Sequence, residues 1–291
     1  MISSEFVRTF TQVAKTPDPD LATVALLIAR LEYPKLDASP YLDQLDEMGK
    51  VAHERVAEFS DPTNPQESIK AINTYLFDEQ GFAGNEHEYD DPRNSFLNEV
   101  LTRRMGIPIT LALVYLEVAR RAGVSLQGVN FPGHFLLRCQ SPRVAGGLGS
   151  ELIVDPFHRG AILSETDCQN LLRKQVGQSA TFDKRLLVGA TKSQILIRML
   201  VNLKRIYINM RSFQQGRTVT DLLLALNPSA MAELRDRGLL NYHLNDFSAA
   251  LRDLEFYLRF TSRGEKSTPS AEHEEIWEHV KTLRRRVASL N

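Results

Sequence analysis

The chain contains little cysteine, and this excludes one class of small extracellular fold. Its 291 residues include two cysteines, Cys139 and Cys168, which could form at most one disulfide. A disulfide-stapled scaffold needs several such bridges, and so low a count is typical of proteins from a reducing compartment.

The chain also lacks an excess of charge and any long hydrophobic run. Its 35 basic and 36 acidic side chains give a net charge of -1, so no global attraction to nucleic acid or to an acidic membrane is expected. The apolar stretch 21–29 is far shorter than a membrane span. The first six residues form neither a basic region nor an apolar run, so we expect no secretion signal and a cytoplasmic protein.

The residues that are present indicate more than one domain. Hydrophobic side chains make up 43% of the chain, enough for a sizeable core, and the length favours two domains or one large one. Helical spacing of apolar residues in segment 1–77 predicts helices that pack on a core. Asp20 is placed to begin one helix, and Ser39, as N-cap before Pro40, another.

Segment 78–190 combines helices with short strands, so we expect an α+β core with a small antiparallel sheet. The spacing predicts a short helix over 94–104 and a largely apolar, central helix over 107–122. Alternation of apolar residues predicts strands over 127–131, 134–139 and 151–154.

An acidic loop surrounds His87 in this segment. Carboxylates beside a histidine can bind a metal, but no second histidine or cysteine stands at ligand spacing. We therefore interpret the loop as solvated, with aspartates that cap the next helix, and we expect neither a metal nor a cofactor.

Segment 191–291 is predicted to be all helical and repetitive. Phe213 and Phe247 lie 34 residues apart, and residues 238–251 resemble a tetratricopeptide repeat, with a helix after 271 as a cap. Stacked helix pairs offer grooves for a protein or peptide, so we expect an unidentified partner of that kind. Alternatively, so short a stack is a structural cap on the core.

Polar residues occur in the order expected of a Cys-His-Asp acyl-transfer site. A helix start near 106–110 is followed by His134 at the start of a predicted strand, and by Asp155 at the end of another. A thiol in the first turn of a buried helix has a lowered pKa, because the helix N-terminus favours negative charge. A neighbouring histidine takes its proton, and an aspartate orients that histidine.

Five stretches of the sequence are similar to the transglutaminase-like superfamily, and within it to the bacterial SirB family. These stretches are 29–34, 94–101, 106–110, 115–120 and 130–135. The resemblance covers nearly the whole chain and implies a papain-like core joined to C-terminal tetratricopeptide repeats. It also carries the family's histidine onto His134, its aspartate onto Asp155 and its nucleophilic cysteine onto Pro108. Proline fits the first turn of a helix but is chemically inert.

Two functions follow from that substitution. The first is a non-catalytic, pseudo-transglutaminase protein that acts as an interaction or regulatory module. The alternative is an active acyltransferase or hydrolase that uses His134 and Asp155 with a displaced nucleophile. Three residues were considered as the displaced nucleophile. Thr110 lies on the same helical turn as Pro108. Cys139 is an odd number of residues from His134, which on one strand puts the two on opposite faces. Cys168 is expected in a helix outside the core.

Four polar residues beside the site are candidates for ligand binding. They are Arg93, Asn94, Asn98 and Thr110, and Asn94 could instead simply cap its helix. The His134–Asp155 pair likewise has two interpretations, which are a hydrogen bond that ties two strands together and part of a polar binding pocket.

Overall fold

The computed structural model describes residues 4–58, 64–140, 151–261 and 271–290. The chain divides into two compact units, one formed by Val13–Met199 and the other by Met1–Gln12 with Leu200–Asn291. Helices combined with small sheets confirm the predicted α+β class. The domain boundaries proposed above at 77 and 190 stay predictions.

Helix α6, Pro108–Arg121, lies at the centre of the first unit, and most of the unit's other helices pack around it. These other helices are α2 Leu21–Ala29, α3 Ser39–Ala57, α4 Pro65–Asn73, α5 Leu97–Arg103 and α7 Glu165–Val176. Helices α1 Ser4–Ala14 and α8 Lys192–Asn209 each contain residues of both units. Ser39 is the first residue of α3 rather than its N-cap, which is Ala38, and the Asp37 side chain accepts the Ser39 N–H at 3.0 Å.

Four antiparallel strands form the main sheet of the first unit. They are β3 Leu126–Val129, β4 Leu136–Gln140, β5 Glu151–Asp155 and β6 Ala161–Leu163, in the order β3-β4-β5-β6. The sequence predicts the first three within two residues and misses β6, because three residues are too few for an alternating pattern. The structure also has a parallel pair of two-residue strands, β1 Ala83–Gly84 with β2 Met105–Gly106, which the sequence analysis did not predict.

Helix α6 is buried along nearly its whole length, as its apolar sequence predicts. Eleven of its residues are buried, and the helix contacts α3, β3 and β4. Pro108 occupies its first position, where the absent N–H would have no helical partner. The Thr110 hydroxyl accepts a hydrogen bond from the Ile107 N–H at 3.1 Å, which closes the first turn.

The prediction of a single helix over 94–104 is wrong. The structure has a 3-10 turn, Pro92–Ser95, then Phe96 in an extended conformation, and only then α5. The Asp91 side chain accepts the Arg93 N–H at 2.9 Å and so starts the earlier turn. Because the apolar spacing continues across the break, periodicity alone does not reveal it.

The second unit contains the predicted repeats. Helices α9 Phe213–Leu226, α10 Met231–His243, α11 Phe247–Thr261 and α12 Ala271–Leu290 pack each on the next. Phe213 and Phe247 begin α9 and α11, so the 34-residue period corresponds to one helix pair. Within the part of the chain that is described, no helix is both long and apolar enough to cross a membrane.

The turn between β5 and β6 depends on a glycine in close contact with a side chain. Gly160 has φ +72°, and its N–H donates to the Asp155 carbonyl at 2.8 Å. A Cβ there would lie 1.9 Å from Asn73 Oδ1. Asn73 cannot move freely, because its Nδ2 donates to the Gly160 carbonyl and its Oδ1 accepts the Tyr115 hydroxyl.

We therefore expect Gly160→Ala to destabilise the protein more than Gly81→Ala. Gly81 has the same φ, +73°, with nothing near its missing Cβ, so that variant carries only the backbone cost of about 1–2 kcal/mol. Gly160→Ala adds the clash with Asn73, about 1–3 kcal/mol more. Urea unfolding followed by circular dichroism measures the free energy of unfolding of both variants. Equal losses of stability would contradict the close contact between position 160 and Asn73.

Candidate functional site

The structure brings His134 and Asp155 together. His134 lies in a tight turn, its N–H donating to the Phe131 carbonyl at 3.0 Å, just before β4 begins. Asp155 is the last residue of the neighbouring strand β5. His134 Nε2 donates to Asp155 Oδ1 at 2.9 Å, and both residues are at least 97% buried. The turn before β4 and the end of the neighbouring antiparallel strand β5 thus position the two side chains.

Asp155 also holds a third residue, His158, which the sequence analysis missed. Its Oδ1 accepts the backbone N–H groups of Phe157 and His158 at 3.0 and 3.4 Å, and its Oδ2 accepts His158 Nδ1–H at 2.7 Å. Asp155 is therefore the cap of the 3-10 turn Pro156–His158. The sequence did contain a signal for His158, because it stands three residues after Asp155 in a turn that Pro156 begins.

The two histidines determine the ionisation of the carboxyl. Burial of Asp155 alone would raise its pKa, but the hydrogen bonds that it accepts from His134, and then from His158, hold the pKa below its usual value. Asp155 is therefore a carboxylate at neutral pH, able to orient an imidazole or to bind a cation.

Aromatic rings enclose one side of this cluster. Phe157 meets the edge of His134 at a centroid distance of 5.9 Å, and His158 stacks on His134 at 5.7 Å. Tyr89, from the loop that follows β1, contacts Phe157 at 6.2 Å. The imidazole of His134 is thus fixed by rings as well as by Asp155, while the His158 side chain keeps 44% of its surface exposed.

Two of the candidate binding residues brace the loop in front of α6. Asn94 Nδ2 donates to the Glu88 carbonyl at 2.6 Å, and Asn94 Oδ1 accepts Asn85 Nδ2–H at 3.2 Å. The Thr110 hydroxyl donates to the Asn94 carbonyl at 2.7 Å. Asn94 is buried, and Asp91, not Asn94, caps the turn.

The other two candidates differ from each other in exposure. The half-exposed Arg93 is paired with Asp91 at 2.8 Å. Asn98 is buried, and its Oδ1 has no hydrogen-bond partner in the described part of the chain. Over the same residues, no hydrogen bond or ion pair joins Arg93, Asn94, Asn98 or Thr110 to His134 or Asp155, so their shared pocket stays a prediction.

Both cysteines are buried, and the expected position of one of them was wrong. Cys168 lies inside the apolar cluster of Val129, Phe131, Leu136 and Ile153 rather than outside the core. Burial, followed by the charges of Asp167 and Asp155, raises its pKa to about 11. A thiol in such an environment stays protonated at neutral pH.

Cys139 is similarly unsuited to act as a nucleophile. Its Sγ lies 3.7 Å from the Ser125 carbonyl, and burial raises its pKa. Since β4 begins at Leu136, His134 is not on this strand, and the alternation argument about their two faces does not apply.

A groove between α11 and α12 is a separate candidate site in the repeat unit. It encloses about 490 Å³, and its lining includes Leu258, Arg259, His273, Trp277 and Arg284. Trp277 keeps 42% of its surface exposed, and the Arg284 guanidinium lies 5.4 Å from the centre of its ring. Arg284 also pairs with Glu255 at 2.7 Å. The groove therefore combines an aromatic surface with charges of both signs.

Comparison with known proteins agrees with this architecture. The profile of the transglutaminase-like superfamily matches residues 39–201, and a tetratricopeptide repeat profile matches residues 203–286. A UPF0162 protein of Xylella fastidiosa strain Temecula1 is 41% identical over 242 residues, covering 82% of this chain and 83% of that protein.

Two further relatives have different origins. Protein SirB1 of Salmonella typhimurium is 26% identical over 216 residues, covering 74% of this chain and 77% of that protein. F-box only protein 21 of Mus musculus is 39% identical over 182 residues, covering 60% of this chain and 28% of that protein. The SirB1 match confirms the resemblance to the SirB family.

We expect Asp155→Asn to lower the free energy of unfolding by about 1.5–3 kcal/mol at neutral pH, because hydrogen bonds to a charged group are lost. The folded-state pKa of Asp155 lies below 3.8. The stabilising contribution of the Asp155 carboxylate is therefore complete above about pH 3.8, the pKa of an unperturbed aspartate. It is lost as the pH falls from there through the lower pKa of the folded state. Urea unfolding from neutral pH to about pH 3 measures the narrowing difference between the two proteins.

Asp78→Asn is the matched control. That carboxylate is exposed and pairs with Arg159 at the surface, where an ion pair contributes only about 0–1 kcal/mol. A loss in Asp155→Asn no larger than in this control, or one that does not shrink in acid, would contradict the role given to Asp155.

Proposed function

The chain belongs to the transglutaminase-like superfamily, and we propose that it is a non-catalytic member whose tetratricopeptide repeats bind a partner protein or peptide. The observation that supports this proposal most directly is the buried proline at the first position of α6. By the family resemblance, a nucleophilic cysteine at that position would have its pKa lowered by the helix N-terminus and would give its proton to His134. Pro108 offers neither a thiol nor a hydroxyl.

The other candidate nucleophiles have unsuitable environments. Cys139 and Cys168 are buried thiols with raised pKa values. The hydroxyl of Thr110 donates to the Asn94 carbonyl and accepts the Ile107 N–H, so both its functions are used in bracing the helix start. An active enzyme with a displaced nucleophile would need one of these groups to leave its place.

The repeat unit supports the binding part of the proposal. Tetratricopeptide helix pairs form grooves for peptides, and the groove between α11 and α12 presents Trp277 beside Arg284. Tryptophan and arginine are the residues that most often dominate binding energies. The mixture of Arg259, Arg284 and Glu255 in this groove favours a peptide that carries both an apolar anchor and charge.

We expect both native cysteines to react slowly with iodoacetamide at neutral pH, and equally slowly when His134 is replaced by alanine. The physical reason is that only a thiolate attacks the reagent, and burial disfavours the thiolate of Cys139 and of Cys168. Mass spectrometry of tryptic peptides measures the rate at each cysteine.

Pro108→Cys supplies the positive control, with Pro108→Ala as its thiol-free match. The new thiol should ionise below the ordinary cysteine pKa of about 8.5, seen as ultraviolet thiolate absorbance, and this ionisation should shift upward with His134→Ala. One native cysteine that reacts fast and slows with His134→Ala would overturn the non-catalytic proposal.

For the groove, we expect peptides selected by phage display against the full chain to lose affinity about 30-fold or more in Trp277→Ala, as for a binding hot spot. Val176→Ala, which changes an exposed apolar residue of the other unit, should leave the affinity unchanged. Fluorescence polarisation of labelled peptides measures both. Peptides that bind equally well to the Trp277 variant would place the binding surface elsewhere.

A further inference from the structure

We infer that His134, Asp155 and His158 form a binding site for a divalent transition-metal ion, with Zn²⁺ as the best fit. One ligand atom of each of these three side chains lies within 4.8 Å of the others. Two imidazole nitrogens and one carboxylate oxygen are a donor set that Zn²⁺ accepts, and hard cations such as Mg²⁺ prefer oxygen ligands alone. This inference goes beyond the proposed function and does not depend on Pro108.

The carboxylate is already oriented for this task. The backbone N–H groups of Phe157 and His158 both bind Asp155 Oδ1, which fixes the carboxylate plane. Asp155 Oδ2 accepts only the His158 Nδ1–H among the described residues. A metal ion that replaces this proton therefore gains a nitrogen and an oxygen ligand while the turn keeps its backbone hydrogen bonds.

The distances suit a shared ion. The two nitrogen–oxygen pairs are 2.9 Å for His134 with Oδ1 and 2.7 Å for His158 with Oδ2. The two atoms of each pair, taken by itself, can both lie about 2.0–2.1 Å from one Zn²⁺, with an angle of about 80–90° at the metal. Because the two pairs use different oxygens of Asp155, an ion shared by all three side chains requires the imidazoles to move closer together. A small rotation of the His158 ring widens this angle toward the tetrahedral value, and that ring is the exposed member of the cluster.

Metal binding requires each ligating nitrogen to release its proton. In His134 the proton moves from Nε2 to Nδ1, a nitrogen without a hydrogen bond to the described residues, and in His158 it moves from Nδ1 to Nε2. Three protein ligands leave a fourth position open to water or to an exogenous ligand.

Hydrogen bonding within the turn does not by itself account for His158. The backbone N–H at position 158 is enough for the cap contact with Asp155, and any residue except proline would provide that N–H. Orientation of His134 by Asp155 likewise requires no second imidazole. The His158 ring, stacked on His134 and bound to the second carboxylate oxygen, completes a set of three converging ligands.

The test is Zn²⁺ binding by the full chain, free of any affinity tag and treated with chelator, in competition with a chromophoric chelator. We expect the wild type to bind one more ion than His158→Ala, or to bind its tightest ion about 10-fold or more better, since loss of a ligand costs at least as much as loss of an outer-shell partner. His87→Ala is the matched control, because His87 is exposed and stands among acidic residues, and it should bind as the wild type does.

Two measurements keep the result unambiguous. Circular dichroism checks that His158→Ala is folded, and Co²⁺ in place of Zn²⁺ gives visible absorption bands that report tetrahedral nitrogen and oxygen ligation and should vanish in that variant. Equal Zn²⁺ binding by wild type and His158→Ala, no Zn²⁺ binding by the wild type, or a loss only in His87→Ala would each overturn the inference.

Discussion

Burial of α6 is the constraint on which the first unit depends. Eleven of the residues in Pro108–Arg121 are buried, and the helix contacts α3 on one side and strands β3 and β4 on another. A helix enclosed in this way cannot rely on water to satisfy its first N–H groups. Its start is therefore fixed by internal means, with a proline that has no N–H and with the hydroxyl of Thr110.

This constraint explains how the fold accommodates a proline at the position that the resemblance assigns to the family's nucleophile. Proline has the backbone angle of a first helical turn and removes a donor that would otherwise need a partner. The loop before the helix is held independently, because the carbonyl of Asn94 accepts the Thr110 hydroxyl and its side chain bonds the Glu88 carbonyl. Structure and chemistry are thus separable at position 108, which is consistent with the proposed loss of catalysis.

Periodicity in the sequence predicted most of this architecture and failed where local hydrogen bonds decide the backbone. It located α6, three of the four strands of the main sheet and the 34-residue repeat. It missed the break at Phe96, which interrupts a continuous apolar pattern, and the three-residue strand β6. It also placed Cys168 outside the core, because the burial of one helix face depends on packing that no local pattern contains.

The candidate site was predicted in the same unequal way. His134 and Asp155 were found because they follow the order of a Cys-His-Asp site. His158 was missed because that order contains only one histidine.

The energetics of the buried pair argue that it has a use besides bracing the sheet. Replacing a buried ionic pair by packed apolar side chains is often neutral or stabilising, although removing one partner alone is costly. Stability therefore explains why Asp155 and His134 depend on each other, but not why a polar pair occupies the junction of β4 and β5. A second imidazole, which is partly open to solvent, shares the same carboxylate. A site with this composition has the means to bind a ligand independently of any nucleophile, and ligand binding is where its chemistry should be sought.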